Sequence, residues 1–270
     1  MMKWGQAAAA AFQFLSRFPV NVSLDYSPTL FRQSVKFYPL VGAAIGLVVW
    51  AGAAGFAYLL PALPAAVLTL ILWVGLTGGL HLDGWMDTAD GVLSYRSREQ
   101  MLDIMKDSRV GAMGVLACVL LLILKLSLIY SLLIDGFNYS GLLLLPLIWS
   151  RWFMVHAMSS WPMARGKDGL AGGNFHGLSR GQVWGTFLLA TLLSGVAVAI
   201  LPLLRTDSVA WTTALLGFIT LPMASWAAGT WMARKLNATL GGLTGDTYGA
   251  LNEFVEAVAL LTLVLLLNHM

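Results

Sequence analysis

The feature that most constrains this chain is a series of long apolar stretches. We count about seven, at roughly 38–60, 63–80, 110–134, 141–160, 184–204, 210–231 and 249–268. Each is close to the about 20 residues that an α-helix needs to cross the hydrocarbon core of a membrane. Hydrophobic residues make up 58% of the 270 residues, above the roughly 45–50% of ordinary soluble proteins. The sequence therefore predicts an all-α, polytopic integral membrane bundle of about seven transmembrane helices.

The remaining composition indicates how the chain is organised. No fixed-period repeat, low-complexity tract or long linker divides it, which favours one membrane-embedded domain over residues 1–270. Residues 7–18 are expected to form a short amphipathic helix in the membrane interface rather than a cleavable signal peptide. The single cysteine, Cys118, excludes an intrachain disulfide and any multi-cysteine metal site.

Lysine and arginine residues predict the orientation of the bundle. With seven spans, one face receives all loop cations except Arg205, and cytoplasmic loops are the ones that retain positive charge. We therefore expect an integral protein of the cytoplasmic (inner) membrane, with the N-terminus in the cytoplasm and His269 outside. The connections at 81–109, 161–183 and 232–248 then face the cytoplasm. The net charge of +3 follows from this bias and does not argue for nucleic acid as a partner.

Small residues spaced four apart predict close contacts between helices. Gly42 and Gly46 lie in the first apolar stretch, and Gly75 and Gly79 lie in the second. Such spacing lets neighbouring helix backbones approach one another, and we expect packing roles for both pairs.

Three carboxylates stand within eight residues of the first long connection: Asp83, Asp87 and Asp90. In a helix they occupy positions i, i+4 and i+7 and share one face, where like charges repel. An Asp at the centre of a membrane helix costs roughly 2.5–3.5 kcal/mol, so the cluster requires neutralising cations. Hard divalent metals such as Mg²⁺ bind carboxylate oxygens, and we predict a magnesium site here.

The same connection continues with a second carboxylate pair and three cations. Asp103 and Asp107 are again four apart, and facing the first group they would complete an all-oxygen pocket for one or two Mg²⁺ ions. Arg96, Lys106 and Arg109 are near enough in sequence to bind phosphates of the same substrate. The alternative is that Asp103 and Asp107 are solvated charges paired with Lys106 or Arg109.

Two further polar segments are candidates for the same site. The glycine-rich segment at 165–177 carries Lys167 and suits a loop over a phosphorylated substrate, or it is an ordinary cationic loop. The segment at 241–253 brings Asp246, Asn252 and Glu253 to the start of the last span. A local helix-capping role for Asp246 or Thr247 is the alternative there, and Glu256 extends the polar face inward.

Five short motifs, in order along the chain, resemble those of one family. They are FLSRFP at 14–19, FYPLVG at 37–42, GGLHLDG followed by DTADG over 78–91, MKDSRVG at 105–111 and GLTGDTYGA at 242–250. Together they resemble the cobalamin synthase family, also called adenosylcobinamide-GDP ribazoletransferases, over essentially the whole chain. Position 103 is Asp here, where family members often carry Glu, and either residue supplies a carboxylate.

The resemblance implies a membrane enzyme of the last steps of cobalamin biosynthesis. Such an enzyme joins adenosylcobinamide-GDP to α-ribazole or its 5′-phosphate with Mg²⁺ and releases GMP. Its partners would be these substrates, the lipid bilayer and other enzymes of the pathway. With this reaction, Asp87, Asp90 and Asp246 become the expected catalytic residues, one of them as general base. The rivals are a cation-coupled transporter, because intramembrane acids also mark ion pathways, and a non-catalytic scaffold.

Overall fold

Helices form nearly all the regular structure of the computed structural model, which describes residues 3–134, 140–164, 178–200 and 208–268. Short 3₁₀ turns, Val35–Phe37 and Ser140–Leu143, lead into α3 and α8. The helices are α1 Lys3–Leu15, α2 Pro28–Ser34, α3 Tyr38–Leu59, α4 Ala62–Thr77, α5 Leu80–Val92, α6 Arg98–Ile104, α7 Ala112–Leu133, α8 Leu144–Ser160, α9 Arg180–Ile200, α10 Ser208–Leu240 and α11 Gly245–Asn268.

The predicted all-α membrane architecture is confirmed, whereas the count of seven spans is not. Within the described ranges, five helical segments are long and apolar enough to cross a membrane, and α4 with α5 makes six if this bent pair is one span. The five segments are Pro28–Leu59, Ala112–Leu133, Gly141–Ser160, Arg180–Ile200 and Gly245–Asn268. The apolar stretch at 210–231 lies inside α10, which is not among them.

A sharp turn separates the second predicted span from the Asp-rich segment. The axes of α4 and α5 differ by 89°, and two consecutive glycines make the turn, Gly78 with φ +65° and Gly79 with φ +71°. Glycine is favoured in this left-handed region because it has no Cβ. The second span therefore ends at Thr77 rather than near residue 80. Its end is held by Arg17, whose backbone N–H donates to the Leu76 carbonyl at 2.7 Å.

Only one of the two glycine pairs serves helix packing. A Cβ on Gly42 would lie 2.2 Å from the Leu147 carbonyl oxygen, and a Cβ on Gly46 would lie 2.9 Å from the Leu144 Cα. The first pair thus lets α3 contact α8, as predicted. The prediction for the second pair is wrong, because no atom lies within 4 Å of a Cβ built on Gly75 and Gly79 belongs to the turn after α4.

The N-terminal helix begins and ends earlier than its sequence pattern indicates. It covers Lys3–Leu15 instead of 7–18. Ala7, Ala10, Ala11 and Leu15 are buried against the rest of the protein, while Trp4 is exposed. The helix therefore packs its small residues on the bundle.

Helix α11 is the central element, because it packs on α5, α7, α8 and α10. Its start is fixed by two backbone bonds between neighbouring loops. The Leu243 N–H donates to the Pro162 carbonyl at 2.8 Å, and the Ala164 N–H donates to the Leu243 carbonyl at 2.9 Å. These bonds place the first turn of α11 beside the end of α8.

Candidate functional site

The candidate site is built where α5 crosses the first turns of α11. A Cβ on Gly84 would lie 2.5 Å from the Asp246 carbonyl oxygen, and one on Gly249 would lie 3.2 Å from the His81 carbonyl oxygen. Any side chain at Gly84 would therefore force the two backbones apart. Because of this close approach, Asp246 lies directly beside the Asp-bearing helix.

The three clustered carboxylates lie on one helix, as their spacing predicts. Helix α5 contains Asp83, Asp87 and Asp90, and no lysine or arginine accompanies them in it. Asp83 is exposed, and the other two are partly buried. Helical spacing puts their side chains on the face next to the buried stripe of Gly84, Thr88 and Gly91. Gly84 in this stripe packs on α11, and Gly91 packs on α6.

Asp90 caps the start of α7 and also belongs to the acidic face of α5, which is formed by Asp83, Asp87 and Asp90. Its two carboxylate oxygens accept the backbone N–H groups of Gly111 and Gly114, each at 2.7 Å. A carboxylate at a helix N-terminus is stabilised by the unpaired N–H groups and the helix dipole. Each oxygen keeps a further lone pair, so this capping role and the predicted metal role are compatible. The sequence analysis missed the contact, although glycines at 111 and 114 are the signal for it.

The second carboxylate pair does not share a helical face, which corrects the expectation from its spacing. Helix α6 ends at Ile104, so Asp103 is helical and Asp107 lies in the following turn. The Asp103 carboxylate is 3.8 Å from the Lys106 ammonium, and both side chains are exposed. The Arg109 guanidinium donates to both oxygens of Asp107, at 2.6 and 3.0 Å. These hydrogen bonds lower the pKa of Asp107 to about 2.

The pairing just described is the arrangement that the sequence analysis kept as its alternative for Asp103 and Asp107. The phosphate-binding role of Lys106 and Arg109 stays a prediction. Both cations lie at the same end of α7 as Asp90, and this location is compatible with the role. Arg96 is exposed in the loop after α5 and follows Tyr95, which has a positive φ of 52°. Lys167 lies outside the described residues.

The start of α11 is capped by threonines. The Thr244 hydroxyl accepts the Thr247 N–H at 3.2 Å, and the Thr247 hydroxyl accepts the Thr244 N–H at 2.7 Å. This reciprocal pair satisfies the N-terminal groups, so the capping role proposed for Thr247 is correct. Asp246 follows in the first turn, where its carboxylate accepts a hydrogen bond from the Thr244 hydroxyl at 3.3 Å.

Arg98 is a further polar residue at this end that the sequence analysis did not select. A Cβ on Gly241, which has a φ of +68°, would lie 2.3 Å from the Arg98 Cζ. The guanidinium also donates to the Ala164 carbonyl at 3.3 Å. Arg98 thus joins α6 to the two loops that position α11.

A second group of charges is buried deeper in the bundle. Lys125 on α7 forms ion pairs with Glu253 and Glu256 on α11, and Arg151 on α8 pairs with Glu256. All four side chains are at most 4% exposed. The Asn252 amide donates to Glu256 at 3.1 Å, and the Lys125 ammonium lies 5.2 Å from the Trp73 ring. The inward position of Glu256 was expected from the sequence, but its pairing was not. Two acids and two cations within predicted spans were the signal for it.

The donor chemistry of α5 fits magnesium. In the described part of the chain, no three Asp, Glu, His or Cys side chains converge closely enough to enclose a metal. Magnesium does not require such a cage, because it is usually bound through one or two carboxylates, waters and substrate phosphates. Neighbouring carboxylates on an open helix face are the ligands expected for a metal shared with a phosphorylated substrate.

Comparison with known proteins identifies the family. The model of the cobalamin-5-phosphate synthase family matches residues 7–264. The chain belongs to this family. A relative from Brevibacillus brevis is 40% identical over 94% of this chain and 96% of its own length. A relative from Pseudomonas aeruginosa (strain UCBPP-PA14) is 40% identical over 94% of this chain and 96% of its own length. A relative from Roseiflexus sp. (strain RS-1) is 36% identical over 97% of this chain and 91% of its own length.

All three relatives are named adenosylcobinamide-GDP ribazoletransferases. No solved structure matches the chain. The family match confirms the resemblance inferred from the five sequence motifs, and it favours a transferase over a cation-coupled transporter.

Proposed function

We propose that this protein joins adenosylcobinamide-GDP to α-ribazole or its 5′-phosphate and releases GMP. The names of its family and relatives support this reaction. The structural observation that supports it most directly is the carboxylate face of α5 beside Asp246. The close packing of Gly84 on the start of α11 puts both in one place.

The chemistry requires an acceptor hydroxyl, a base and stabilisation of a diphosphate. The 3′-hydroxyl of the riboside attacks the phosphorus nearest cobinamide, and the bond from that phosphorus to the oxygen of departing GMP breaks. The hydroxyl proton passes to a carboxylate, for which Asp87, Asp90 and Asp246 are the candidates. Negative charge then grows on the GMP oxygen, so cations close to it lower the barrier.

The residues that would supply this electrostatic stabilisation follow from the site. Magnesium would be held by Asp83, Asp87, Asp90 and Asp107, with Asp103 assisting, and when bound it would neutralise charge on the diphosphate. Arg96, Lys106, Arg109 and Lys167 would bind phosphate oxygens. For Arg109 this requires release of Asp107, because its guanidinium now bonds that carboxylate.

We also propose the domain organisation, the membrane location and the orientation of the enzyme. Residues 1–270 form one membrane-embedded domain of the cytoplasmic (inner) membrane. The N-terminus and the acidic face lie on the cytoplasmic side, where nucleotide-activated substrates are available. The bias of lysine and arginine toward one set of loops supports this orientation.

The decisive experiment is the reaction itself. The full chain in nanodiscs is incubated with adenosylcobinamide-GDP, α-ribazole and Mg²⁺, and GMP and cobalamin are quantified by chromatography. We expect stoichiometric products, loss of turnover with EDTA, and recovery on adding Mg²⁺. Asp87→Asn and Asp90→Asn should lower turnover by about 10²–10³-fold.

Glu99→Gln is the matched control, because Glu99 is an exposed acid on neighbouring α6 and has no role in the proposed site. It should retain wild-type turnover. Full Mg²⁺-dependent activity in folded Asp87→Asn and Asp90→Asn would overturn the residue assignment. Absence of GMP release by the wild type would overturn the proposed function.

A further inference from the structure

A cleft on the outer surface of the bundle lies apart from the acidic face. It has a volume of about 700 Å³ and is lined by α8, α9 and α10. Trp184 and Met223, which line it, are 64% and 66% exposed. Trp184 lies on α9, which is long and apolar enough to cross a membrane. A cleft lined by such exposed side chains is accessible from the outside of the bundle, where we expect lipid.

The polarity of the cleft changes from one end to the other. Ser159, Ser160 and Arg180 line it where α8 ends and α9 begins. Farther along the same helices, Trp152 and Phe187 line it, with their ring centroids 5.4 Å apart. Phe187 is seven residues beyond Arg180, which is roughly 10 Å along the helix axis. A molecule that fits this cleft has one polar end and an apolar body.

The charge at the polar end points to an anion. Helices α8, α9 and α10 contain no aspartate or glutamate over the ranges given above, whereas they contain Arg151, Arg180, Arg234 and Lys235. Arg151 is paired with Glu256 on α11. Among the side chains that the structure describes, none forms an ion pair with Arg180. The guanidinium thus has hydrogen-bond donors for a phosphate oxygen.

A second cleft on the bundle has a different lining. It measures about 500 Å³ and lies between α5, α7 and α11. Its lining is apolar throughout and includes Leu116, Leu120, Phe254 and Leu261. The α8–α10 cleft differs because Arg180, two serines and His156 line it as well. These polar side chains are the feature that favours a ligand with a headgroup.

We propose that the α8–α10 cleft is a binding site for an anionic phospholipid. One acyl chain lies along Trp152, Phe187 and Met223, and the headgroup phosphate accepts hydrogen bonds from Arg180. Basic pockets between membrane helices commonly bind acidic lipid headgroups in this way. The proposal does not depend on the reaction catalysed, because the cleft shares no residue with the acidic face.

The test measures lipid retention by the purified full chain. Nanodisc protein is released into detergent and examined by native mass spectrometry after exchange with phosphatidylglycerol or phosphatidylcholine. We expect the wild type to retain phosphatidylglycerol preferentially. Arg180→Gln should lower that preference about fivefold, since one surface cation contributes about 1 kcal/mol. Lys235→Gln, which removes an exposed cation of α10 outside the cleft, should leave it unchanged.

Two further arms decide between sources of phosphate and guard against misfolding. Val183→Trp fills the cleft without changing charge and should abolish retention, so it tests the site even if Arg180→Gln fails to fold. Inorganic phosphate or α-ribazole 5′-phosphate should not displace the lipid. Equal retention by wild type and Arg180→Gln, equal loss with Lys235→Gln, or displacement by either soluble phosphate would overturn the proposal.

Discussion

The molecule contains two concentrations of charge that differ in balance and in burial. The buried ion cluster, Lys125, Arg151, Glu253 and Glu256, has two charges of each sign and is closed off from solvent. The acidic face, Asp83, Asp87 and Asp90, has three charges of one sign on a helix without a lysine or arginine. The first is neutralised by partners on three helices of the same chain.

The difference indicates different roles. A buried group of charges is tolerated when its members neutralise one another and make hydrogen bonds, and it then fixes the helices that carry them. Repulsion within a partly exposed group of one sign does not stabilise the fold, so we expect the acidic face to serve a bound cation. Stability should therefore depend on the buried ion cluster, and turnover on the acidic face.

The largest effect should come from opening the buried ion cluster. Glu256→Gln removes the carboxylate that pairs with both Lys125 and Arg151. It leaves buried positive charge without compensation, which costs about 3–5 kcal/mol. We expect poor yield and a strongly lowered midpoint of unfolding in detergent, measured by thermal denaturation or urea titration.

A double variant distinguishes neutralisation from mere packing. Lys125→Met with Glu253→Gln removes one charge of each sign and should destabilise less than Lys125→Met alone. If the double variant were as unstable as the sum of its single variants, the cluster would not act as a neutralising unit.

The acidic face should give the opposite pattern. Asp83→Asn alters an exposed carboxylate and should change the midpoint of unfolding very little. Turnover should fall about 10²–10³-fold, because a proposed ligand of the Mg²⁺ that would offset charge in the transition state is lost. Stability and GMP release measured on the same preparation separate the two effects. Unchanged turnover together with lowered stability would reverse the roles assigned to the two charge groups.

We expect an intermediate effect on stability and turnover at Gly114, which packs against Asp90 of the acidic face. A Cβ on Gly114 would lie 2.4 Å from an Asp90 carboxylate oxygen and 2.9 Å from the Met86 carbonyl oxygen. Gly114→Ala should therefore displace the Asp90 cap and cost about 1–3 kcal/mol, as overpacking usually does. Turnover should fall as well, since Asp90 and α7 both move. Thermal unfolding and GMP release measure the two losses.

Gly185→Ala provides the control for this variant. It lies in helix α9, and no atom lies within 4 Å of a Cβ built there. Alanine should be neutral or stabilise by up to about 1 kcal/mol, because glycine loses more conformational freedom on folding. Equal behaviour of Gly114→Ala and Gly185→Ala would mean that the Asp90 contact is not tight.

The architecture and the shared face of the three Asp residues were predictable because each rests on local periodicity. Apolar length indicates membrane helices, and spacing of four and seven residues places Asp83, Asp87 and Asp90 together on α5. The sharp turn at Gly78 and Gly79 was not predicted, since Gly79 was interpreted as a helix-packing partner of Gly75. The early end of α6, which puts Asp107 outside a helix, was likewise not evident from the i, i+4 spacing.

Contacts between distant segments were the part that the sequence could not supply. Lys125 and Glu253 are 128 residues apart, so their pairing depends on which helices become neighbours. The bonds from Gly111 and Gly114 to Asp90 depend in the same way on how α5 crosses α7. The charges themselves were visible, but the partner of each was decided by helix packing.

The smallest effect should come from the exposed pair of Asp107 and Arg109. Hydrogen bonds from Arg109 lower the pKa of Asp107 from 3.8 to about 2. Its contribution to stability is therefore complete above pH 4 and is lost as pH falls toward 2. Because the pair is exposed, water and salt screen it, and the contribution is small. Asp107→Asn should unfold at slightly lower temperature than the wild type near pH 6.

This small difference should disappear as the pH falls from about 4 toward 2, because the wild-type carboxylate is then protonated too. In an Arg109→Gln background, Asp107→Asn should change the unfolding temperature little at any pH, since the hydrogen-bond partner is already absent. Parallel thermal scans of the four proteins measure the coupling. A loss comparable to that of Glu256→Gln would contradict the contrast, because an exposed pair would then stabilise the fold as strongly as the buried ion cluster.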